Sequence, residues 1–242
     1  MNKRITLESA YLLHRRAYRE TSFLVELWTL NHGRLSAVAR GARKARMLSG
    51  LLQPFSPLLV SWSGKSDLVT LTHTEPQAIM HPLRGENLFA GLYLNELLMT
   101  FMQRWDAHSR LFHQYDATIQ RLQGASLCPS ILRSFEKNLL EEMGYAFLPK
   151  THAEAVFVKN CYYRFIPEQG FVSEMDQKEG TRATFLGEHL LAIAQENWYS
   201  EAILSDAKRL IRIVMQPLLG TKVLRSRELF SYRNVYREGS DK

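Results

Sequence analysis

TSFLVELWTLNHGRLSAVAR, residues 21–40, holds the pattern on which the fold turns. Residues 21–30 are rich in β-branched and aromatic side chains, which suit a strand. Asn31-His32-Gly33 is turn chemistry. Residues 34–40 then alternate, with Leu35, Ala37 and Ala39 on one side and Arg34, Ser36, Val38 and Arg40 on the other. Successive residues of a strand point to opposite faces, so Arg34 and Arg40 share a face of a second strand. The chain runs on as ARGARKARMLSG (39–50), with cations at Arg40, Arg43, Lys44 and Arg46 and no acid between Gly33 and Gly50. Residues 41–50 read as a basic loop in which Gly41, Ala42 and Ala45 leave the backbone free to approach phosphates.

Outward from this pair, residues 8–16, 58–63 and 67–73 also read as strands, separated by Pro54, Pro57 and Gly64-Lys65-Ser66. Five short strands in so few residues predict a small barrel. An OB-like barrel is the leading candidate, and strand count leaves an SH3-like barrel open. After Pro76 and Pro82 the pattern becomes helical. Residues 86–103 are apolar nearly all round and predict a buried helix. Helices follow at 108–123, 129–145 (opening on Pro129 and ending by Gly144), 182–196 and 201–216, the last stopped by Pro217. Residues 156–172 predict a β-hairpin insert turning near Gln169-Gly170. The expected class is α+β and multidomain, with a barrel at 1–80 and a helical domain with hairpin insert at 81–242.

The 242 residues are 45% apolar and carry a net charge of +7. That composition supports a packed core. The charge favours anionic partners. Residues 1–80 hold 11 Lys/Arg against 5 Asp/Glu, residues 81–180 hold 10 against 12, and residues 181–242 hold 10 against 7. The basic excess is therefore local, at both ends of the chain. Cys128 and Cys161 stand far apart and outside any CxxC, so neither a disulfide framework nor a four-cysteine zinc site is expected, and a mixed site with His152 matches no standard spacing. MNKRITLESAY lacks a signal-peptide apolar stretch and no membrane-spanning run occurs, which points to the cytoplasm.

Catalytic patterns are missing. Ser63-Gly64-Lys65-Ser66 ends like a phosphate-binding loop, but Leu59 stands where that motif needs glycine, and the stretch lies between two strands. There is no HExxH, GxSxG or GxGxxG, and the acids are scattered. Glu141-Glu142 point different ways on a helix. His73 fits a strand end better than a general base. An enzyme is not expected.

Three binding patterns are present. The first is the basic stretch Arg34, Arg40, Arg43, Lys44 and Arg46, joined by Arg15, Arg16 and Arg19 around Tyr18 in a predicted loop. Single-strand grooves pair cations with aromatic platforms. Tyr18 is the best platform candidate, with Trp28, Phe55 and Trp62 better suited to the core. The second is Lys208, Arg209 and Arg212, lying off the apolar stripe of the 201–216 helix (Ile203, Leu204, Ala207, Leu210, Ile211, Val214, Met215), followed by Lys222, Arg225 and Arg227; such cations track a phosphate backbone without sequence preference. The third is Arg133, one turn from Lys137, beside the stripe Leu132, Phe135, Leu139 and Met143. It reads either as a surface arginine pairing with Glu136 or as a cation at the rim of an apolar groove that grips an acidic peptide.

In order and spacing, ARGARK (39–44), LQPFSPL (52–58), LYLNELL (92–98), SFEKNLLEEMGY (134–145) and LLGTKVLRSREL (218–229) resemble the bacterial recombination-mediator family RecO over nearly the whole chain. The resemblance implies an N-terminal OB-fold and a helical C-terminal domain. It implies binding of single- and double-stranded DNA, annealing of complementary strands, and binding of the acidic, Phe-ending tail of the single-stranded DNA-binding protein SSB. It further implies partnership with RecR, and with RecF, in loading RecA on SSB-coated strands, no catalytic residues, no cofactor, no membrane partner and a place at the nucleoid. Carried over by residue, Arg34, Arg40, Arg43, Lys44 and Arg46 become DNA contacts. Arg133 becomes the cation for the SSB tail, with Phe135 and Leu139 as pocket wall and Lys137 beside it. Some RecO members carry a four-cysteine zinc module, and this chain lacks its cysteines, so zinc is not expected. An RNA- or ribosome-associated OB protein is the alternative.

Overall fold

The computed structural model describes residues 3–78, 82–124, 126–145, 147–148, 157–174 and 182–229. His152, Val156 of the expected insert and the tail from Tyr236 to Lys242 lie outside them. Two compact units divide the chain, Met1–Leu127 with Leu224–Lys242, and Cys128–Val223.

In the first unit β1 (Lys3–Tyr18), β2 (Ser22–Thr29), β3 (Gly33–Ala39), β4 (Pro57–Gly64) and β5 (Leu68–Pro76) close into a barrel in the order β1-β2-β3-β5-β4. All neighbours are antiparallel except β3 and β5. A short helix, α1 (Arg46–Leu51), lies between β3 and β4. This closed five-stranded arrangement is that of an OB-fold, which resolves the choice left open by strand count. β1 is longer than residues 8–16 because one strand serves two neighbours. Its register shifts between Ile5 and Glu8 against β4, and between Leu12 and His14 against β2. Such bulges bend a strand around a barrel. At the first of them Leu7 takes a positive φ and its N–H donates to Ser61 Oγ at 3.0 Å.

The inward residues behave as the alternation predicts. Leu35, Ala37 and Ala39 join Leu12, Val25, Leu27, Val60, Trp62 and Val69 in the barrel core. Ala42 is in that core as well. The stretch expected as a free basic loop is instead a turn followed by α1, because Ala42 anchors it and Gly41 O accepts from Lys44 N and Ala45 N, each at 3.1 Å.

Helices α2 (Gly85–Phe101) and α3 (Ser109–Arg121) belong to this unit, which therefore extends past residue 80. Asn95 ties α2 to β1, donating to Leu13 O at 2.9 Å, and accepts from Tyr115 of α3 at 2.5 Å. Tyr11 of β1 donates to Asp116 of α3 in a short hydrogen bond, and its ring meets Tyr115 edge-on at 5.0 Å. Glu96 of α2 accepts from Arg225 N and Ser226 N, each at 2.9 Å, bringing residues 224–229 back to the first unit.

The second unit holds α4 (Pro129–Glu142), β6 (Tyr162–Ile166), β7 (Gly170–Glu174), β8 (Thr184–Leu186), α5 (Gly187–Ala194) and α6 (Glu201–Leu219). The expected hairpin is a three-stranded sheet in the order β7-β6-β8. β8 takes the start of the stretch read as a helix from 182, and Thr184-Phe185-Leu186 is β-branched and aromatic enough to explain it. Pro217 does not stop α6, which runs two residues further to Leu219. Ser200 caps its start, accepting from Ile203 N at 3.3 Å.

Candidate nucleic-acid interface

Strand register gathers one group of cations. Tyr18 pairs with Ser22 across the β1–β2 turn, and Phe23 pairs with Ala39, so the end of β3 lies beside that turn. Tyr18 is thus the last residue of β1 rather than a loop residue, and Arg15 and Arg16 are strand residues as well. Arg43 fastens the two segments, its N–H donating to Thr21 O and its guanidinium to Arg19 O, both at 2.9 Å. Arg16, Arg19, Arg40, Arg43, Lys44 and Arg46 are all exposed at this end of the barrel. The segments 15–22 and 38–50 that build it contain a single acid, Glu20. Arg16, Leu24, Val38 and Thr70 form one outward row across β1, β2, β3 and β5. The cations therefore border a half-buried apolar strip at Leu24 and Val38. The Arg19 guanidinium lies 5.3 Å from the half-buried Tyr18 ring.

Two of the predicted cations are committed elsewhere. Arg15 points to the barrel end, where its guanidinium donates to Ser49 O at 2.8 Å and Leu52 O at 2.7 Å and stacks 4.9 Å from Phe23. It satisfies carbonyls at the C-terminal end of α1, a favourable place for a cation. Arg34 is at the opposite end of β3. It donates to Met102 O at 3.1 Å and to Glu26 at 3.3 Å, and only 16% of its side chain is exposed. Burial lowers its pKa from the ordinary arginine value, with Glu26 opposing that shift. Of the aromatic candidates, Trp28, Phe55 and Trp62 are buried.

The C-terminal set is divided. Lys208, Arg212 and Lys222 are exposed in the second unit. Arg209 is held there by Asp206 at 2.9 Å, by Thr184 O at 2.7 Å and by the Phe185 ring at 4.6 Å. Arg225 and Arg227 lie in the first unit, Arg225 exposed and Arg227 over the Tyr93 ring at 5.7 Å.

On α4, Phe135 and Leu139 are core residues. Arg133 pairs with Glu136 at 3.0 Å, and Lys137 donates to Ala194 O at 2.8 Å and meets Glu196 at 3.2 Å. The pairing with Glu136 is the one the spacing allowed, yet it is buried rather than on the surface, with Arg133 only 8% exposed.

Sequence reading passed over Arg104 and Trp105. They lie in the link Met102–His108 between α2 and α3, and that link covers part of the outer β2–β3 face. Trp105 N donates to Arg34 O at 2.9 Å, Arg104 reaches Glu26 at 2.8 Å, and His108 stacks on Trp28 with ring centres 6.3 Å apart. An arginine beside a tryptophan in the link between two helices was the available signal. Among the described residues no group of three or more His, Cys, Asp or Glu is placed to hold a metal, and no helix is long and apolar enough to cross a membrane.

Residues 1–80 match the family model described as "Recombination protein O N terminal", and residues 83–155 match the one described as "Recombination protein O C terminal". The chain belongs to the RecO family. Its curated relatives are named DNA repair protein RecO. The one from Coxiella burnetii (strain RSA 331 / Henzerling II) is 43% identical over 234 residues, covering 95% of this chain and 99% of the relative. The one from Pasteurella multocida (strain Pm70) is 40% identical over 235 residues, covering 96% and 97%. That of Methylococcus capsulatus is 40% identical over 230 residues, covering 94% and 93%. The first RecO model ends just after β5, and the second spans α2, α3 and α4.

Proposed function

We propose that this chain is a DNA repair protein that binds single- and double-stranded DNA, anneals complementary strands, and acts with RecR and RecF to help RecA onto SSB-coated strands. The observation that carries the reading is the barrel-end rim, where six exposed cations stand against one carboxylate beside an OB face. Each cation that neutralises a phosphate releases condensed counterions, so affinity falls with salt. Because the Arg40–Arg46 backbone is folded on the barrel, little ordering entropy is lost when phosphates dock. No nucleotide hydrolysis enters this scheme, and no catalytic role is assigned.

Binding of the acidic SSB tail at α4 is the second part of the reading. Family membership supports it, and attachment to coated strands would raise the local concentration of the protein there.

One panel tests both parts. Replacing Arg40, Arg43, Lys44 and Arg46 together with Ala is expected to reduce the log–log salt slope for single-stranded DNA by about 3, near 0.7 for each lost contact. An unchanged slope removes the rim from the interface. Arg133→Gln is expected to weaken binding of an SSB-tail peptide and to leave naked DNA unaffected, and equal loss on both would reject the tail site. Competition with RNA of equal length is the control. Preference for RNA would favour an RNA-associated OB protein.

A further inference from the structure

The basic rim occupies one end of the barrel, and the opposite end, near the start of β3, carries an aromatic that the DNA reading has not used. Trp105 is 37% exposed and holds a φ of +61°. Left-handed backbone is rare for a bulky L side chain and persists only where the surroundings fix it. Here the fixing group is Arg34, whose carbonyl accepts from Trp105 N, and whose guanidinium binds Met102 O three residues earlier in the same link. Glycine or asparagine would fit that backbone with less strain. The chain keeps an indole there, and the indole is not buried as a core residue would be. Trp28 and Trp62 are buried, and the half-buried Trp198 donates to Ser134 Oγ at 3.3 Å. The Trp105 ring leans on Trp62, with centres 6.5 Å apart and planes tilted by 56°, so one side is backed by the barrel while solvent reaches the rest.

Paired charges surround it. Arg34 and Arg104 both contact Glu26, and Asp106 follows the indole in sequence, so two cations face two carboxylates there, with Arg104 keeping 42% of its side chain exposed. The Asp106 carboxylate lies 3.2 Å from His108 Nε2. Arg34 to Arg40 is six steps along β3, or roughly 20 Å at the usual strand rise. A single strand crossing from the rim to Trp105 would occupy about four nucleotides, within the footprint usual for one OB barrel.

We infer that Trp105 is a stacking platform for a base of single-stranded DNA that crosses this end of the barrel, with Arg34 as its positioning residue. The inference rests on the DNA reading of the rim and adds to it a contact to bases rather than phosphates. A base stacked on an indole gains affinity without sequence preference.

The test uses the full chain and two probes of about 20 nucleotides, oligo(dT) and an abasic strand with the same phosphates. Trp105→Ala is expected to bind oligo(dT) about tenfold more weakly and the abasic strand as the parent protein does. Trp105→Tyr is expected to restore most of the loss. Trp105→Gly, which relieves the backbone, is expected to keep the fold by circular dichroism and yet bind oligo(dT) as weakly as Trp105→Ala. Unchanged oligo(dT) affinity in a folded Trp105→Gly protein would overturn the platform, as would an equal loss on both probes. If the parent protein binds neither probe, the DNA reading itself fails and the platform fails with it.

Discussion

Gly33 lies where β2 turns into β3, with φ at +67°. A Cβ there would stand 1.9 Å from Asp106 O, a backbone atom that no rotamer change can move. Left-handed strain and displacement of the Met102–His108 link combine, so Gly33→Ala is expected to lower stability by about 2 kcal/mol or more in urea unfolding. A loss under about 0.5 kcal/mol would mean that the link yields freely. At this scale the sequence told the charge of each cation but not its partner. Arg15, Arg34, Arg209 and Lys137 stand in the sequence as candidate binding cations. Each is instead bonded to a carbonyl or carboxylate at least 8 residues away in sequence, and such partners are set by register and packing, which spacing does not encode.

The strand pattern was legible because a period of two survives wherever one strand face is buried. The helical periods of the later chain were legible for the same reason. What escaped was structure set by tertiary contact, such as the folding of Arg40–Gly50 onto the barrel through Ala42, and β8, whose three residues are too few to show a period. The clamp joining β1, α2 and α3 also escaped, because its polar members look ordinary in sequence. That clamp carries a pH dependence. Burial first, then the hydrogen bond and charge of Asp116, raise the Tyr11 pKa far above its ordinary value of 10.0. Burial first, then Tyr11, raise that of Tyr115. Both groups stay neutral in the fold, so their stabilising contribution is complete below pH 10 and is lost as pH rises above it, where only the unfolded chain ionises. Urea unfolding is expected to weaken above pH 10 by up to about 1.4 kcal/mol per pH unit for each tyrosine. Tyr115→Phe should flatten that alkaline limb, and a limb of unchanged slope would show that Tyr115 ionises within the folded protein.

For the whole chain, the change of period divides the sequence near residue 80. The compact units divide differently. α2 and α3 go with the barrel, and the chain returns to it at Leu224, where Glu96 holds Arg225 and Ser226 from 130 residues away. No local pattern announces such a return. It splits a run of cations that looks continuous in sequence, with Lys208, Arg212 and Lys222 in the second unit and Arg225 and Arg227 in the first. The proposed annealing would require two strands to be held at once, and a basic set on each unit would meet that need if the sets act independently. Replacing Lys208, Arg212 and Lys222 with Ala is then expected to reduce the salt slope by about 2 for single strands, additively with the barrel-rim variant. Either variant alone should slow annealing of SSB-coated complementary strands more than it weakens binding to one strand, since losing one grip leaves the other strand bound but unpaired. If the second-unit variant anneals at the parent rate with an unchanged salt slope, the barrel rim is the whole interface, and annealing must proceed between two molecules that each hold one strand.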